Sequence, residues 1–347
     1  MLTLAPVLTI EPSPVALLRS GDVAHPERAL DRGELVRVRP GVYAPASARL
    51  RLRPWERYLA RVHAVARLRP DAVFCHESAA ALLGLPIIGD PRTVHVLVSP
   101  ADAARQSAGI RSHRTSRLPD VTSAGGLVLT TPGVTAVTIA RHRHPAVGLA
   151  TADAALRRDI TLTPAELRAD NERRVSSRGR NTARWSLLRA DGARESVLES
   201  VSAAVMEWLG CPAPDTQRAF VSDAGELDRG DFWWGDIGLV GEPDGEFKYD
   251  GRFGDPAQLL SARRERDRRL LRGEARAVAH WGWIEVARVW PLRDLLLGHG
   301  LPQVRSTDHA PLLSLMHLLT PYDRELTPTR AVGRPAGERT SGRRGNG

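Results

Sequence analysis

The sequence predicts a mixed α/β protein, α+β overall, in which several domains follow one another along the chain. Three observations predict this class. The 347 residues are too many for one ordinary hydrophobic core. Segments with the 3.6-residue apolar period of helices are interleaved with short segments of period two, which are typical of strands. A polar, arginine-rich stretch separates two such regions. The expected boundaries are 1–50, 51–165, a linker over 166–190, 191–300, and a C-terminal extension over 301–347 that is disordered from about 325.

The charge balance favours a polyanionic partner. Lys and Arg total 49 against 40 Asp and Glu, a formal net charge of +9, and such an excess is common in proteins that bind nucleic acids. Lys248 is the only lysine. No stretch approaches 18 uninterrupted apolar residues, and the first residues make a poor signal peptide. Since Cys75 and Cys211 are isolated thiols, we expect a cytoplasmic protein.

Residues 14–45 predict an N-terminal winged helix-turn-helix. Short helices are predicted over 14–21 and over 25–33, the second closed by Gly33. The stretch ELVRVRPGVYAP alternates about a Pro-Gly turn, which predicts a hairpin of two short strands. Four arginines of the second helix and the hairpin would meet DNA phosphates or a groove: Arg28, Arg32, Arg37 and Arg39. The alternative is the solvated face of a small protein-interaction module.

The stretch 30-LDRGELVRVRPGVYAP-45 resembles the N-terminal antitoxin domain of the AbiEi family, from type IV toxin–antitoxin systems. The resemblance implies DNA as a partner, with a cognate toxin as a further candidate partner.

An α/β middle domain is predicted over 51–165. Helical spacing is clear in RPWERYLARVHAVARLRP and in 75-CHESAAALLGLP-86, TVHVLVSP predicts a strand, and LVLTTPGVTAVTIAR predicts a strand and then a helix from Pro132. RSHRTSRLP predicts a loop or an edge strand. The phrases HESAAALLGLP and TTPGVTAVTIAR look like the middle domain of the same family. We interpret His76 as structural, because no partner constellation accompanies it at a defined spacing, and His142 and His144 as solvated rather than metal-binding.

The C-terminal region predicts a carboxylate cluster. A helix is predicted over 195–210, and a two-residue turn at Gly235-Asp236 closes a hairpin that pairs Asp231 with Val240. With period two, Asp231, Glu242 and Asp244 then point to one side. Such a patch needs a cation or a raised pKa, and oxygen-only ligands suit Mg²⁺. The sequence therefore predicts a Mg²⁺ site at these three residues.

This arrangement resembles the restriction-endonuclease-like PD-(D/E)XK fold, in its Vsr-like branch. The resemblance is carried by Glu199 in SVLES, Asp231 in GDFWW, Glu242 and Asp244 in GEPDG, and Lys248 in EFKYDG. It implies a mixed sheet flanked by helices and metal-assisted hydrolysis of DNA phosphodiesters. Asp231 and Glu242 would hold Mg²⁺, Glu199 would tune the metal shell or orient water, and Lys248 would lie near the attacking water or the developing charge.

The C-terminal pattern departs from that family in two places. Pro243 stands where a strand residue is expected, which indicates an edge or a bulge. Asp244 stands where the family has a lysine. A second, less favoured register takes Asp236 with Glu246 and Lys248. Downstream, a basic helix over 261–277 and a strand over 281–290 are predicted.

Two functions of different class follow from the sequence. In the first, the protein is a Mg²⁺-dependent endonuclease directed to DNA by its winged helix. In the second, it is a non-enzymatic regulator or antitoxin whose nuclease-like domain is inactive.

Overall fold

The computed structural model describes residues 8–89, 91–99, 106–107, 109–115, 119–221, 225–244 and 256–326. Within these residues it contains three β-sheets, of three, six and four strands, and thirteen α-helices. The coarse prediction of a mixed α/β fold, α+β overall, is confirmed. In the same part of the chain, no helix combines the length and the apolar character needed to span a bilayer.

The N-terminal sheet is small and antiparallel, with its third strand in the centre. Its strands are β1 (Leu18–Arg19), β2 (Leu35–Arg39) and β3 (Val42–Pro45). Helix α1 (Pro26–Asp31) lies between β1 and β2 in the sequence and is followed by Gly33 in the left-handed region, as predicted. The predicted hairpin is also present, because β2 pairs antiparallel with β3 across Pro40-Gly41.

The helix predicted over 14–21 is wrong. Leu18–Arg19 form a strand and Ser20–Asp22 form one 3-10 turn. The physical reason is the period of burial: Val15 and Leu17 are buried while Ala16 between them is exposed. This alternation is that of an extended chain on a core surface, and the segment is too short for the two periods to be distinguished by apolar content alone.

The middle sheet has six strands in the order β6-β7-β5-β4-β9-β8. Its strands are β4 (Val73–Phe74), β5 (Val94–Val98), β6 (Gln106–Ser107), β7 (Ile110–Arg114), β8 (Val121–Ala124) and β9 (Leu127–Thr130). The pairs β5–β7 and β4–β9 are parallel, and the other pairs are antiparallel. The segment predicted as a loop or edge strand therefore supplies β7, which has a neighbour on each side.

Five helices accompany these two sheets: α2 (Ala46–Leu50), α3 (Pro54–Leu68), α4 (His76–Leu82), α5 (Pro132–His142) and α6 (Pro145–Arg158). The predicted helices of this region are confirmed, including the start at Pro132 and the end before Gly84, whose φ is +68°. Tyr58, Phe74 and Leu129 are fully buried in the core between the helices and the sheet.

The segment predicted as a linker over 166–190 is instead part of the folded core. It forms most of α7 (Pro164–Arg173) and all of α8 (Arg180–Leu188). Leu167, Ala183 and Leu187 are buried in the same core as the middle sheet. The many arginines of this segment hid the apolar face, since each helix turn contributes only one or two small or apolar residues to the core.

The C-terminal unit has a four-stranded sheet in the order β10-β11-β12-β13. Its elements are α9 (Val197–Trp208), β10 (Asp215–Val221), β11 (Leu227–Trp234), β12 (Leu239–Pro243), α10 (Pro256–Arg272) and β13 (Ala277–Trp281). The strands β10, β11 and β12 form an antiparallel meander, while β13 is parallel to β12. A parallel neighbour needs a crossover connection, and α10 lies in that connection.

One prediction for the chain beyond α10 is wrong. The strand expected over 281–290 is replaced after Trp281 by α11 (Trp283–Arg288) and α12 (Trp290–Gly298). The backbone N–H of Gly282 donates to Glu285 Oε2 at 2.8 Å, which caps the first of these helices. The expected extension over 301–347 contributes α13 (His309–Leu326), whose Leu312, Leu315 and Leu319 are buried. Residues 327–347, most of the stretch predicted as disordered, lie outside the described residues.

Helix α6 is shared by two hydrophobic cores. Val147, Ala152 and Ala155 belong to the core of the middle sheet. Ala146, Leu149 and Ala150 belong to the core of the C-terminal sheet, where the helix contacts α9. Every residue from Ala146 to Leu156 is buried. The two cores therefore meet at one helix.

Candidate active site on the C-terminal sheet

The hairpin that carries the predicted carboxylates has a four-residue turn, and the predicted two-residue turn is wrong. Trp234 pairs with Leu239 and Trp233 with Val240, so the turn runs from Gly235 to Gly238. Gly238 closes it with a φ of +67°, which glycine adopts without strain. The register differs from the predicted one by two residues. Because side chains alternate with period two, that difference keeps the carboxylates on the predicted sides of their strands.

Four polar residues form a row across the C-terminal sheet, one from each strand. Thr216 pairs with Phe232 and Arg218 with Gly230, so Gln217 of β10 lies opposite Asp231 of β11. Continuing the hairpin register by one residue beyond Phe232–Gly241 brings Asp231 opposite Glu242 of β12. Glu242 in turn pairs with His280 of β13. We call Gln217, Asp231, Glu242 and His280 the polar row.

Glu199 of α9 reaches the same place from the helix. The backbone N–H of Glu199 donates to Ser196 Oγ at 3.1 Å, so Ser196 caps the first turn of the helix. The Glu199 carboxylate is buried, and Gln217 joins it to the polar row. The Gln217 amide nitrogen donates to Glu199 Oε2 at 3.0 Å and to Asp231 Oδ1 at 3.1 Å. One amide group therefore holds two carboxylates together.

Gln217 is itself in an unusual conformation. Its φ of +55° lies in the left-handed region, which a residue with a long side chain adopts only when its surroundings require it. Its amide oxygen is buried and finds no hydrogen-bond partner within the described part of the chain. Strain and an unsatisfied acceptor therefore coincide at the residue between the two carboxylates.

The charges of this cluster act on one another. Burial raises the pKa of Asp231 to about 7, and the nearby Glu242 and Glu199 carboxylates contribute in the same direction. Burial also raises the pKa of Glu242, although the guanidinium of Arg266 opposes it. Asp231 thus exchanges its proton near neutral pH, where an exposed aspartate is fully ionised.

Helix α10 faces the carboxylates of this sheet with one arginine per turn. Arg266 donates to both oxygens of Glu242, at 2.8 and 2.9 Å. One turn later, Arg269 donates to both oxygens of Asp228 at 2.8 Å, and this contact lowers the pKa of Asp228. One turn earlier, Arg263 lies 3.1 Å from Asp244. We call these three residues the arginine face of α10.

Asp244 is held at the end of β12 by two cationic or polar partners. Besides Arg263, its Oδ2 lies 3.0 Å from Nδ1 of His280, whose Nε2 lies 3.1 Å from Asp267 of α10. The backbone N–H of Asp244 donates to the Trp281 carbonyl at 2.8 Å, which continues the parallel ladder past Pro243. The proline lies two residues beyond the last Cα pair between β11 and β12, where its missing N–H costs no ladder bond in that pairing.

The structure brings together part of the predicted site. Asp231, Glu242 and Glu199 are neighbours, as their mutual charge effects show. Asp231, Glu242 and Asp244, however, do not have ligand atoms that all lie within 4.8 Å of one another. Within the described residues, one group of three His, Cys, Asp or Glu side chains meets that distance, and it lies elsewhere. Lys248 and Glu246 lie outside the described residues, and Asp236 lies in the exposed hairpin turn.

The candidate site opens into a cleft of about 920 Å³. Glu199, Asp231 and Pro243 form one wall, and the opposite wall comes from the N-terminal segment, α3 and the chain after α4. The opposite wall includes Glu56 and Arg53. Glu199 and Asp231 therefore line a cavity large enough for a ligand of nucleotide size, since ligand sites commonly measure 300–1,000 Å³.

The four predicted DNA-binding arginines differ in their surroundings. Arg28 is exposed on α1. Arg32 pairs with Glu34 at 2.7 Å and Arg37 with Glu27 at 3.4 Å, and all four side chains of these pairs are more than half exposed. Arg39 is half-buried, and burial lowers its pKa, with Arg69 adding to the effect.

Two mycobacterial proteins are similar to this chain. "Uncharacterized protein MT2308" of Mycobacterium tuberculosis (strain CDC 1551 / Oshkosh) and "Uncharacterized protein Rv2248" of Mycobacterium tuberculosis (strain ATCC 25618 / H37Rv) are each 35% identical over 213 residues. The match covers 60% of this chain and 73% of each relative. The chain belongs to their family. No protein-family model matches the chain, and no solved structure matches it.

Several residues of this site were not predicted from the sequence. Gln217 gave no signal, because its role depends on a strand pairing and on a left-handed backbone. The arginine face of α10 was detectable, since Arg263, Arg266 and Arg269 recur every three residues on one face of a predicted helix. His280 lies within the alternating AVAHW segment, but the strand was predicted to start at Trp281, one residue later.

Proposed function

We propose that this protein binds DNA and that its C-terminal unit is a Mg²⁺-dependent endonuclease that hydrolyses DNA phosphodiesters. The observation that carries the proposal is the convergence of three buried or half-buried carboxylates: Glu199 from α9, Asp231 from β11 and Glu242 from β12. This order of a glutamate helix, an aspartate strand and a Glu-x-Asp strand is the one that the PD-(D/E)XK resemblance implies.

The donor set fits a hard divalent cation. Mg²⁺ prefers carboxylate oxygens, keeps several waters and takes substrate phosphates. The raised pKa of Asp231 reflects burial and the repulsion from the Glu242 and Glu199 carboxylates, and a bound cation would offset that repulsion. The unsatisfied amide oxygen of Gln217 adds a further oxygen donor beside the carboxylates. Asp231 and Glu242 would hold the ion, which when bound lowers the pKa of a water and polarises a phosphoryl oxygen.

The protein's own residues have separate roles in this proposal. Glu199 orients a water from the helix side, since Gln217 fixes its carboxylate beside Asp231. Arg266, close to Glu242, is positioned to stabilise negative charge that develops on a phosphate. Asp244 is a positioning residue for His280 and Arg263 and not a direct ligand. For Lys248, which lies outside the described residues, the PD-(D/E)XK resemblance alone implies a role near the attacking water.

DNA binding is assigned to the N-terminal sheet and α1, in line with the AbiEi-like resemblance. Support comes from the exposed Arg28 and from the antiparallel hairpin of β2 and β3, the element that would serve as the wing. The exposed pairs of Arg32 with Glu34 and Arg37 with Glu27 are weak in water. A DNA phosphate would compete with these glutamates for the guanidinium groups.

A plasmid-nicking assay tests the enzymatic proposal. We expect the wild type to nick supercoiled plasmid with Mg²⁺ or Mn²⁺, and Asp231→Asn to nick at least about 100-fold more slowly. Asp215→Asn is the matched control, because Asp215 is an exposed carboxylate on the neighbouring strand. Equal nicking by the wild type and Asp231→Asn would show that the activity comes from elsewhere or from a contaminant.

One observation favours the second candidate function, a non-enzymatic regulator of the antitoxin type. Glu242 is already neutralised by a two-bond contact with Arg266, and Asp244 by Arg263. Such pairs stabilise a scaffold without any metal. No nicking by the wild type, together with salt-sensitive promoter binding that Arg28→Ala weakens, would support this function. A regulator of this type would take a cognate toxin as its protein partner.

A further inference from the structure

A second cluster of titratable side chains lies in the middle sheet, outside the candidate active site. It contains Cys75 and His76 at the start of α4, His95 on β5, His113 on β7 and His142 at the end of α5. The rings of His76 and His113 stack with centroids 3.9 Å apart. His76 Nδ1 lies 3.2 Å from Cys75 Sγ. We call these five residues the histidine cluster.

We propose that Cys75, His76 and His113 bind one Zn²⁺ ion. One ligand atom from each of these residues lies within 4.8 Å of the other two. In a tetrahedral zinc site, bond lengths of about 2.0–2.3 Å place neighbouring ligand atoms roughly 3.3–3.6 Å apart. The 3.2 Å between His76 Nδ1 and Cys75 Sγ is already close to that separation. Rotation of the two stacked imidazoles, until the planes of both rings contain the ion, would complete the three-ligand set.

The chemistry of the donors selects the metal. One thiolate and two imidazoles suit Zn²⁺, whereas Mg²⁺ and Ca²⁺ prefer oxygen ligands. This preference separates the cluster from the carboxylate site of the C-terminal sheet, where every donor is oxygen.

The ligand His113 is oriented by a chain of polar contacts behind it. His113 Nε2 lies 2.8 Å from His95 Nδ1, so its Nδ1 is the atom left for a metal. His95 Nε2 lies 3.6 Å from Glu77, and Glu77 pairs with Arg143. Zinc-binding histidines regularly have such a partner on their second nitrogen. The backbone of His95 is also fixed, because its N–H donates to Ser78 Oγ at 2.7 Å.

The backbone of His76 is strained at the histidine cluster. His76 is the first residue of α4 and has a φ of +52°, in the left-handed region that a histidine rarely occupies. Such strain persists where the surrounding structure requires the side chain in one place, and it is concentrated at ligand sites. The strained conformation places the imidazole between Cys75 and His113.

Three protein ligands leave the fourth position of a tetrahedral ion open. The four histidines of the cluster line a cavity of about 530 Å³, whose lining also includes Arg92, Arg111, Arg143 and Arg178. The open position would therefore take water or a small anion. His142 lies at the rim, exposed, with its Nδ1 bonded to the Thr138 carbonyl at 2.8 Å, so we leave it outside the ligand set.

Cobalt substitution tests the site directly on the full-length protein. After treatment with a chelator, one equivalent of Co²⁺ should produce a thiolate-to-cobalt charge-transfer band, and Zn²⁺ should displace it. This readout requires no variant. Cobalt binding without that band, or no binding of either metal above micromolar affinity, would overturn the proposal.

Variants then identify the ligands. We expect Cys75→Ser to abolish the band and Glu77→Gln, which removes only a contact behind the ligands, to weaken Zn²⁺ binding about 10–100-fold. Cys211→Ser is the matched control, because Cys211 is the other buried cysteine and should leave the band unchanged. Circular dichroism establishes that each variant is folded. A band that survives Cys75→Ser and disappears in Cys211→Ser would refute the assignment.

Discussion

Asp231 is expected to destabilise the folded protein at alkaline pH, and its replacement by Asn should remove that effect. Its pKa rises from an ordinary 3.8 to about 7 in the folded state, so the folded state binds the proton more tightly than the unfolded state does. The stabilisation from the protonated form is complete below about pH 4 and is lost as the pH rises through about 7.

The size of the effect follows from the same difference. At about 1.36 kcal/mol for each pH unit, a pKa raised from 3.8 to about 7 sets an upper limit of about 4 kcal/mol. Because the side chain is only half-buried and solvent screens its charge, we expect about 1–3 kcal/mol. Asn has the same shape and no charge, so Asp231→Asn should be more stable than the wild type at pH 8 and similar to it at pH 4.

Denaturant unfolding at pH 4 and pH 8, followed by tryptophan fluorescence, measures this difference. The control Asp215→Asn changes an exposed carboxylate of β10 and should show no pH-dependent gain. Added Mg²⁺ at pH 8 should raise the free energy of unfolding of the wild type by about 1.4 kcal/mol when its concentration is ten times the dissociation constant. The same addition should leave the free energy of unfolding of Asp231→Asn almost unchanged. If Asp231→Asn is less stable than the wild type at pH 8, the burial and repulsion inferred at this residue are wrong.

Three further substitutions test other parts of the fold. Asp153→Ala should cost about 3–5 kcal/mol by chemical denaturation, because the buried Arg194 guanidinium, 2.7 Å from that carboxylate, loses its counter-charge; a loss below 1 kcal/mol would contradict this. Gly241→Ala should lower the free energy of unfolding by about 1–3 kcal/mol, and the thermal midpoint with it, because the added Cβ would lie 2.6 Å from a core tryptophan ring. An unchanged thermal midpoint would show that the ring moves aside at little cost. Arg266→Met should destabilise the protein more at pH 8 than at pH 5, because the buried Glu242 would be left ionised without its partner; equal losses at both pH values would argue against this pairing.

The elements that the sequence predicted correctly are those with local signals at both ends. Helix α3 starts at a proline, α9 starts after a serine cap and is followed by Gly210 at φ +81°, and the hairpin of β2 and β3 turns at Pro-Gly. Such signals depend on a few neighbouring residues. The segment 14–21 lacked a distinguishing signal, and α7 and α8 were mistaken for a linker because their apolar residues are few and stand among arginines and other polar residues.

The residues of the candidate sites were likewise predicted where a local sequence signal exists and missed where none does. Asp231 and Glu242 were placed together because strand alternation carries across a hairpin even when the turn length is wrong. Gln217 was missed because it reaches the carboxylates through strand pairing, which no local pattern records. The repeat that contains Arg266 was detectable, but its contact with Glu242 depends on how the helix packs on the sheet. His76 was interpreted as structural because no partner stands at a defined spacing in the sequence. Its ring neighbours His95 and His113 gave no such signal, because they come from two strands that become neighbours only in the folded sheet.

Helix α6 has a mechanical consequence for the whole molecule. Its side chains fill the interior on both sides, and Asp153, at 0% exposure, ties it to Arg194 in the segment just before α9. Cutting the chain near residue 190 would therefore not give two independently folded fragments. The N-terminal fragment would carry α6 with one side uncovered, and the C-terminal fragment would lack it. The carboxylates and the histidine cluster thus belong to two cores that share α6. Unfolding of either core by heat or denaturant should therefore destabilise the other.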